Sequence, residues 1–365
     1  MSSNSRSREQ LTKAWAQSRT LRFGGTPVRD PMSDLGRIDV KAAALPYFRC
    51  PSCDSASLVL ISERCAGTRT TDGSLSCNDC CASYRVVSGI PRFVSSDNYA
   101  QSFGLQWNTH EKTQLDSYTG RPISEKRLFD VTGWPRDMSG QVVLEAGSGA
   151  GRFTECLLRA GATVYSFDYS SAVEANARNN GSSERLFLFQ ADMRSVPLQR
   201  AAFDKVMCLG VLQHAAAPNE CFRCLAEMVR PGGELVVDVY GKSAAALLQW
   251  KYILRPITTR MDQRKLYEFV SNVVPLLLPA AKKLRRVAGQ AGARLIPIVE
   301  YSHLGLTPEV NEQWAILDTF DMYAPAHDHP QTQRTLKRWF KEAGFIEVSV
   351  RPGPNGLVGK GRRPE

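Results

Sequence analysis

Four cysteines fall in two tight pairs, Cys50-Pro-Ser-Cys53 and Cys77-Asn-Asp-Cys80, with 23 residues between them. Two CxxC knuckles at this spacing supply four thiolates, enough to close a tetrahedral zinc sphere, and this is the spacing logic of a zinc ribbon. A catalytic zinc keeps one position open for water or substrate, whereas four thiolates leave none. Cys50, Cys53, Cys77 and Cys80 are therefore read as ligands of a structural zinc. Cys65 and Cys81 are left outside the set. Cys156, Cys208, Cys221 and Cys224 have no framework spacing, so disulfides are not expected and a reducing, cytoplasmic setting is the simplest.

A second chemical signal is Glu-Ala-Gly-Ser-Gly-Ala-Gly-Arg-Phe at 145–153. Gly147, Gly149 and Gly151 follow an apolar run and precede a helical pattern. Glycines on a strand-to-helix turn permit tight turning and close approach of the backbone to a ligand. The dinucleotide fingerprint G-x-G-x-x-G would require glycine where Arg152 stands, so the loop is instead acid-x-G-x-G-x-G.

The elements that must carry this loop are legible from the apolar runs. Strands are expected at 141–147, 162–168, 185–192, 203–210 and 233–240, each largely apolar, as for strands buried on both faces. Helical patterns alternate with them, which is the signature of a parallel sheet with helical crossovers. A helix at 335–344 and strand-like runs at 345–351 and 356–361 resume the alternation after a long interruption. The first four strands end in Gly or Asp, and ligands sit at the carboxyl ends of such strands.

With these residues in place, the chain resembles the class I S-adenosylmethionine (SAM)-dependent methyltransferases. The glycine loop corresponds to that family's first motif. Asp168 in Phe-Asp-Tyr-Ser, Asp192 in Gln-Ala-Asp-Met, the run 203–218 and the helix–Pro-Gly-Gly–strand at 227–239 follow in the family's order over about 140 residues. The resemblance implies an α/β fold, a Rossmann-like sheet with helices on both faces, and SAM as cofactor. Glu145, Gly147, Gly149 and Gly151 would form the loop around the methionine portion. Asp168 would take the ribose with Tyr169 beside it, Asp192 and Met193 would hold adenine, and Leu209 and Gly210 would line the pocket near the sulfonium. In this family a helix preceding the first strand can close over SAM. Tyr99, Phe103 and Trp107 at four-residue spacing fit such a lid, or else a core stripe. The cysteine module, ending in Tyr-Arg-Val-Val-Ser-Gly-Ile-Pro (84–91), looks like a Trm112-like zinc ribbon. A ribosomal RNA methyltransferase family also places a four-cysteine site before its SAM domain.

For the methyl acceptor the sequence offers fewer residues. The family's common N-methyltransferase signature after the fourth strand, an acid or Asn followed by Pro-Pro and an aromatic, is replaced here by Leu-Gly-Val-Leu-Gln-His. Methylation of nucleic-acid bases is thereby disfavoured, and His214 becomes the candidate general base. Asp318, Asp321, Tyr323 and His327, from the stretch 316–332, are candidate acceptor contacts. His327-Asp-His329 has too few further ligands to be read as a second metal site.

Composition is that of an ordinary globular chain: 365 residues, 43% hydrophobic and 22% charged, net charge +10. No apolar run approaches the roughly 18 residues of a membrane span. The N-terminal stretch is basic and Ser-rich without an apolar core, so no secretory signal is expected. Charge is regional: residues 242–295 hold eleven Lys/Arg against two acids, while 300–333 hold six acids and no Lys or Arg. The basic stretch interleaves apolar residues, a composition suited to a membrane surface or to an anionic or lipid-like substrate, or to a solvated helical cap. The expected organisation is an arm (1–47), a zinc ribbon (48–96), a SAM-binding core (97–240), a mainly helical substrate lid (241–333) and a closing helix with two strands (334–365). The expected activity is O-methylation of a bulky small molecule such as a quinone, sugar, lipid or natural product. The alternative is an RNA methyltransferase that uses the ribbon and the basic patch, and no other nucleic-acid role is favoured.

Overall fold

The computed structural model describes residues 42–66, 69–95, 98–242 and 249–365. Most of the expected N-terminal arm lies outside the described residues, as do 243–248 of the insertion. A short 3-10 turn (Ala42–Tyr47) leads into the ribbon, built from β1 (Leu58–Ala66), β2 (Arg69–Cys77), β3 (Ser83–Val87) and β4 (Ile90–Arg92). Ser88 (φ +52°) and Gly89 (φ +74°) turn β3 back onto β4, the left-handed pair that a two-residue hairpin favours.

The core follows in chain order: α1 (Gln101–Thr109), α2 (Asp116–Thr119), α3 (Ile123–Thr132), β5 (Val142–Ala146), α4 (Arg152–Arg159), β6 (Thr163–Asp168), α5 (Val173–Asn180), β7 (Leu186–Gln190), β8 (Phe203–Leu209), α6 (Pro218–Met228) and β9 (Val229–Val239). The insertion supplies α7 (Trp250–Thr258), α8 (Gln263–Ala293) and α9 (Pro308–Tyr323), and α10 (Gln333–Glu342), β10 (Ile346–Gly353) and β11 (Gly356–Arg362) complete the chain. Strand order is β1-β2-β3-β4-β7-β6-β5-β8-β9-β11-β10, with β7, β6, β5, β8 and β9 parallel and β11 antiparallel to β9.

Alternation along the central strands explains the two layers. In β5, β6 and β7, Val143, Val164 and Leu186 face α3, α4 and α5, while Leu144, Tyr165 and Phe187 face the opposite layer with α6 and α10. Each strand thus buries both its faces, as its apolar run requires. Gly359 and Gly361 of β11 lie under Phe340, where a Cβ would come within 2.6 and 2.7 Å of the ring. β9 starts at Val229, ahead of the expected Gly233. Its Arg-Pro-Gly-Gly stretch is carried as an irregularity in the pairing with β8, between the pairs Phe203–Val229 and Lys205–Glu234.

The ribbon is continuous with this sheet. Arg92 of β4 pairs with Gln190 of β7, and Phe48 bridges to Leu198. The insertion, in turn, leaves and returns at a pinned neck. Lys242 N–H donates to the Gln331 carbonyl and Gln331 N–H to the Tyr240 carbonyl, both at 2.8 Å. Between these ends the insertion builds its own core from Leu266, Val270, Val274, Leu278 and Ala281 of α8 against Ala315, Phe320 and Tyr323 of α9 and Ile298. Pro275 and Pro279 lie inside α8, and its last turns are broken at Ala288 and Gly289 (φ +59°).

Arg285 of α8 crosses to Glu300. It donates to the carboxylate through Nε and to the Glu300 carbonyl through Nη2 at 3.0 Å, and the Glu300 side chain is fully buried. Removing one partner strands a buried charge. Arg285→Leu should lower stability by about 3–5 kcal/mol, and the double change Arg285→Leu/Glu300→Leu should recover most of the loss. Urea midpoints of the three variants check this, and a double variant no better than Arg285→Leu would contradict it.

Candidate functional site

The carboxyl ends of β5, β6, β7 and β8 open into one cavity of about 1250 Å³. Gly147, Gly149, Asp168, Tyr169, Met193, Leu209, Gly210 and His214 all line it. The glycine loop is fixed from two sides. Gly147 and Ser148 N–H donate to the Phe167 carbonyl at 2.8 and 3.0 Å, and Gly149 N–H donates to Asp168 Oδ2 at 2.9 Å. Asp168 Oδ1 accepts from Ser170 N–H (2.8 Å) and from its hydroxyl (2.7 Å). Burial raises the Asp168 pKa, against the pull of these donors. Gly147 (φ +82°) has no room for a side chain, because a Cβ would meet Val211 at 2.5 Å.

Two loop residues named from sequence stand behind the cavity wall. Glu145 is buried and accepts from the Thr154 and Ser166 hydroxyls. Burial pushes its carboxyl up to about 7. Gly151 (φ +86°) opens α4 at a spot where a Cβ would strike Asn176 Oδ1 at 2.1 Å. Both brace the loop. Asp192 likewise turns from the cavity: it caps its own loop through Arg194 N–H (2.8 Å) and pairs with the Arg194 guanidinium (2.7 Å). Its neighbours Ala191 and Met193 line the wall.

The aromatic stripe before the first core strand faces the cavity. Trp107 lies over Gly149, 3.0 Å from where a Cβ would be. Phe103 packs on His214 (5.3 Å between centroids), and Tyr99 packs on Tyr169 (5.0 Å). Tyr99 itself precedes α1, so the stripe is half helix and half approach to it.

His214 is buried between Phe103 and Tyr240, the latter edge-on at 5.3 Å. Its Nδ1 lies 3.0 Å from the His327 backbone carbonyl. A carbonyl only accepts, so the proton is assigned to Nδ1 and the lone pair to Nε2. Nε2 is buried and has no hydrogen-bond partner among the described residues. Burial pushes the imidazole down to about 4, so the ring is neutral near pH 7.

Around it sits a shell of charges that the sequence did not single out. Arg127 Nη2 pairs with Asp238 Oδ2 at 3.1 Å, leaving Arg127 Nε and Asp238 Oδ1 buried without partners among the described residues. Lys251 pairs with Asp328 at 3.1 Å and lies 4.1 Å over the Tyr240 ring. Asp318 accepts from Gln114 Nε2 (3.1 Å), Trp314 Nε1 (3.0 Å) and the Tyr301 hydroxyl. Burial raises Asp318 and Asp321 to about 6 each. Arg152, first residue of α4, donates to Ser124 and Gln114 and lies 4.8 Å from the Phe153 ring centroid. Burial pushes it down to about 10. Asp238 carried a readable signal, a lone acid inside the buried run Val-Val-Asp-Val. Its partner 111 residues away carried none.

Of the four acceptor-contact candidates, Asp318 and Asp321 line the cavity. Tyr323 belongs to the insertion core, its hydroxyl donating to the Pro297 carbonyl at 2.8 Å. His327 contributes its carbonyl to His214 and its ring to Tyr99 (4.9 Å) and His329 (5.7 Å).

At the ribbon, the Sγ atoms of Cys50, Cys53, Cys77 and Cys80 lie within 4.8 Å of one another, with Cys50–Cys80 and Cys53–Cys77 each at 3.6 Å. Tetrahedral Zn–S bonds of about 2.3 Å place sulfurs about 3.8 Å apart, so the four thiols fit that ion. They are the only such metal-ligating group among the described residues.

The methyltransferase-domain family matches residues 144–237, the span from β5 to β9 that carries the glycine loop, Asp168 and His214. Over 215 residues the chain is 28% identical to a ubiquinone biosynthesis O-methyltransferase of Xylella fastidiosa, covering 57% of this chain and 85% of that protein. Over 256 residues it is 26% identical to an uncharacterized protein of Synechococcus, covering 66% of this chain and 53% of the relative, so it spans about half of that relative's length. A solved complex containing the Haloferax volcanii Trm112 methyltransferase activator is similar over 74% of this chain and 98% of that chain, at 12% identity and a TM-score of 0.43. The matched segment, the glycine loop held by a strand-end aspartate and the parallel sheet order converge on one conclusion: residues 144–237 carry a methyltransferase domain.

Proposed function

We propose that the protein transfers the methyl group of SAM to an oxygen of a bulky small-molecule acceptor (a quinone, sugar, lipid or natural product) held beneath the insertion. The observation that carries this reading is His214: a neutral, buried imidazole whose Nε2 lone pair is unpartnered and whose ring lines the cavity at the end of β8. An oxygen nucleophile needs its proton taken as the new bond forms. Nε2 is suited to receive it, and the resulting imidazolium keeps its Nδ1–H on the His327 carbonyl. The named Xylella fastidiosa relative supports the same chemistry.

SAM, when bound, supplies a methyl group already activated by its sulfonium. The residues present fit it. Gly147 and Gly149, braced by Glu145 and Gly151, would cradle the methionine portion. Asp168 would accept from the ribose hydroxyls with Tyr169 alongside, and Ala191 and Met193 would bound adenine. Leu209 and Gly210 would face the sulfonium, while Tyr99 and Trp107 exclude water from above. The cavity's 1250 Å³ exceeds the roughly 300–1,000 Å³ of a one-ligand pocket, leaving space for an acceptor beside the cofactor. Asp318 and Asp321 would meet that acceptor. Arg127, Lys251 and Arg285 each have a carboxylate partner, so these three cations of the cavity wall are already neutralised within the chain. The four cysteines would hold zinc in a closed, structural site.

Asp168→Ala should weaken SAM binding about tenfold or more by isothermal titration, since a charged acceptor is lost, while circular dichroism stays unchanged. Retained affinity would count against this pocket. In a screen of candidate acceptors with labelled SAM, His214→Ala should lower kcat by about 10²–10⁴ with SAM affinity intact. Because the base must be neutral and its pKa is lowered to about 4, turnover should fall only as pH drops through that value. An acid limb near the ordinary histidine value of about 6.5 would remove His214 as the base. Protein purified without chelator should carry one zinc per chain by elemental analysis, lost in Cys53→Ser; a metal-free wild-type protein would overturn the zinc assignment.

A further inference from the structure

Large apolar side chains exposed to solvent concentrate on the insertion. Seven of the twelve found among the described residues lie on or beside α7 and α8: Trp250, Ile253, Ile257, Phe269, Leu276, Val287 and Leu295. The same segment holds the excess of nine positive charges between 242 and 295.

Their placement is ordered. At 100° per residue, Phe269, Leu276 and Val287 fall within about 20° of one line along α8, well away from the buried face of Leu266, Val270, Val274 and Leu278. Leu276 and Val287 are each 79% exposed. Lys265 and Lys283, both exposed, run about 40° to one side of that line, and neither pairs with an acid among the described residues. On α7, Trp250, Ile253 and Ile257 likewise share one face. A solvated helical cap would place polar residues on these lines. A second copy of the chain would have to accept an uncompensated row of lysines against its own. An apolar stripe flanked by unpaired lysines matches instead a surface that is oily inside and negative at its rim.

We propose that the outward face of α7 and α8 docks on an anionic lipid bilayer, lying in its interface. No helix among the described residues is long and apolar enough to cross a membrane, in keeping with a surface attachment. The proposal rests on the acceptor reading for its purpose: Trp250, on the exposed face of α7 with Ile253 and Ile257, also lines the cavity, so the docked face reaches the rim through which a lipid-borne acceptor would enter.

The test uses the full chain and vesicles of phosphatidylcholine with or without 30% phosphatidylglycerol, the composition being about that of a moderately anionic membrane. Co-sedimentation should favour the anionic vesicles at least about tenfold, and fall as salt is raised from about 0.05 to 0.5 M, where the screening length shrinks well below 10 Å. The variant Phe269→Ser/Leu276→Ser/Val287→Ser should lose most of the binding, as should Lys265→Glu/Lys283→Glu, a pair that leaves the apolar stripe intact. SAM binding by titration should stay unchanged in both, which separates this proposal from the methyl-transfer reading. Equal binding to neutral and anionic vesicles, or none, would overturn it. So would a wild-type dimer by light scattering that the triple variant converts to monomer, which would give the stripe to a second copy, or preferential retention of RNA at the two lysines.

Discussion

The hydrogen bond from the Gly149 amide to the Asp168 carboxylate is the joint on which the site depends. It ties the end of β6 to the loop after β5, while the neighbouring amides of Gly147 and Ser148 close on the Phe167 carbonyl. Together these contacts turn a flexible glycine run into one shape. The cost is a carboxylate held in a buried place, offset by donors from Ser170. Glu145 does the equivalent work from behind, accepting from Thr154 and Ser166, while Asn176 donates to both hydroxyls. The loop is thus clamped between Asp168 at the cavity wall and the buried Glu145 behind it, and everything it holds inherits that rigidity.

Much of this was legible in the sequence. The strands β5 to β8 stand within three residues of their expected ends, because a run apolar on every position admits few homes besides a strand covered on both faces. Asp168 and the glycine loop were identifiable for the same reason: they punctuate those runs. The shell around His214 was not. Arg127–Asp238 and Lys251–Asp328 join residues 111 and 77 positions apart, and a lone charge in sequence gives no hint of its distant partner. The orientation of Asp192 and Tyr323 was equally hidden. A local turn through Arg194 and a carbonyl at Pro297 claim their polar atoms, and only the folded backbone reveals those claims.

The ribbon illustrates a junction that spacing alone does not reveal. Its cysteine geometry was foreseeable, but its union with the sheet edge was not. Tyr47 and Arg49 exchange backbone hydrogen bonds with Gln199 and Pro197, and Arg92 reaches Gln190 and Glu174. The segment 192–199, which also carries Met193 of the cavity wall, is therefore framed by the cysteine module on its far side. A small domain with little core of its own gains a broad apolar partner through Phe48, which packs on Phe93 and Phe189.

The neck at Tyr240, Lys242 and Gln331 gives the insertion the character of a cassette. Its two ends meet across a two-bond ladder, and between them it has its own apolar core. Lengthening or replacing a segment whose ends are already pinned together adds little closure entropy and leaves the strand register on either side untouched. Diversification of such a chain can therefore be confined to one exchangeable block, with new acceptor walls grafted onto a cofactor platform that need not change.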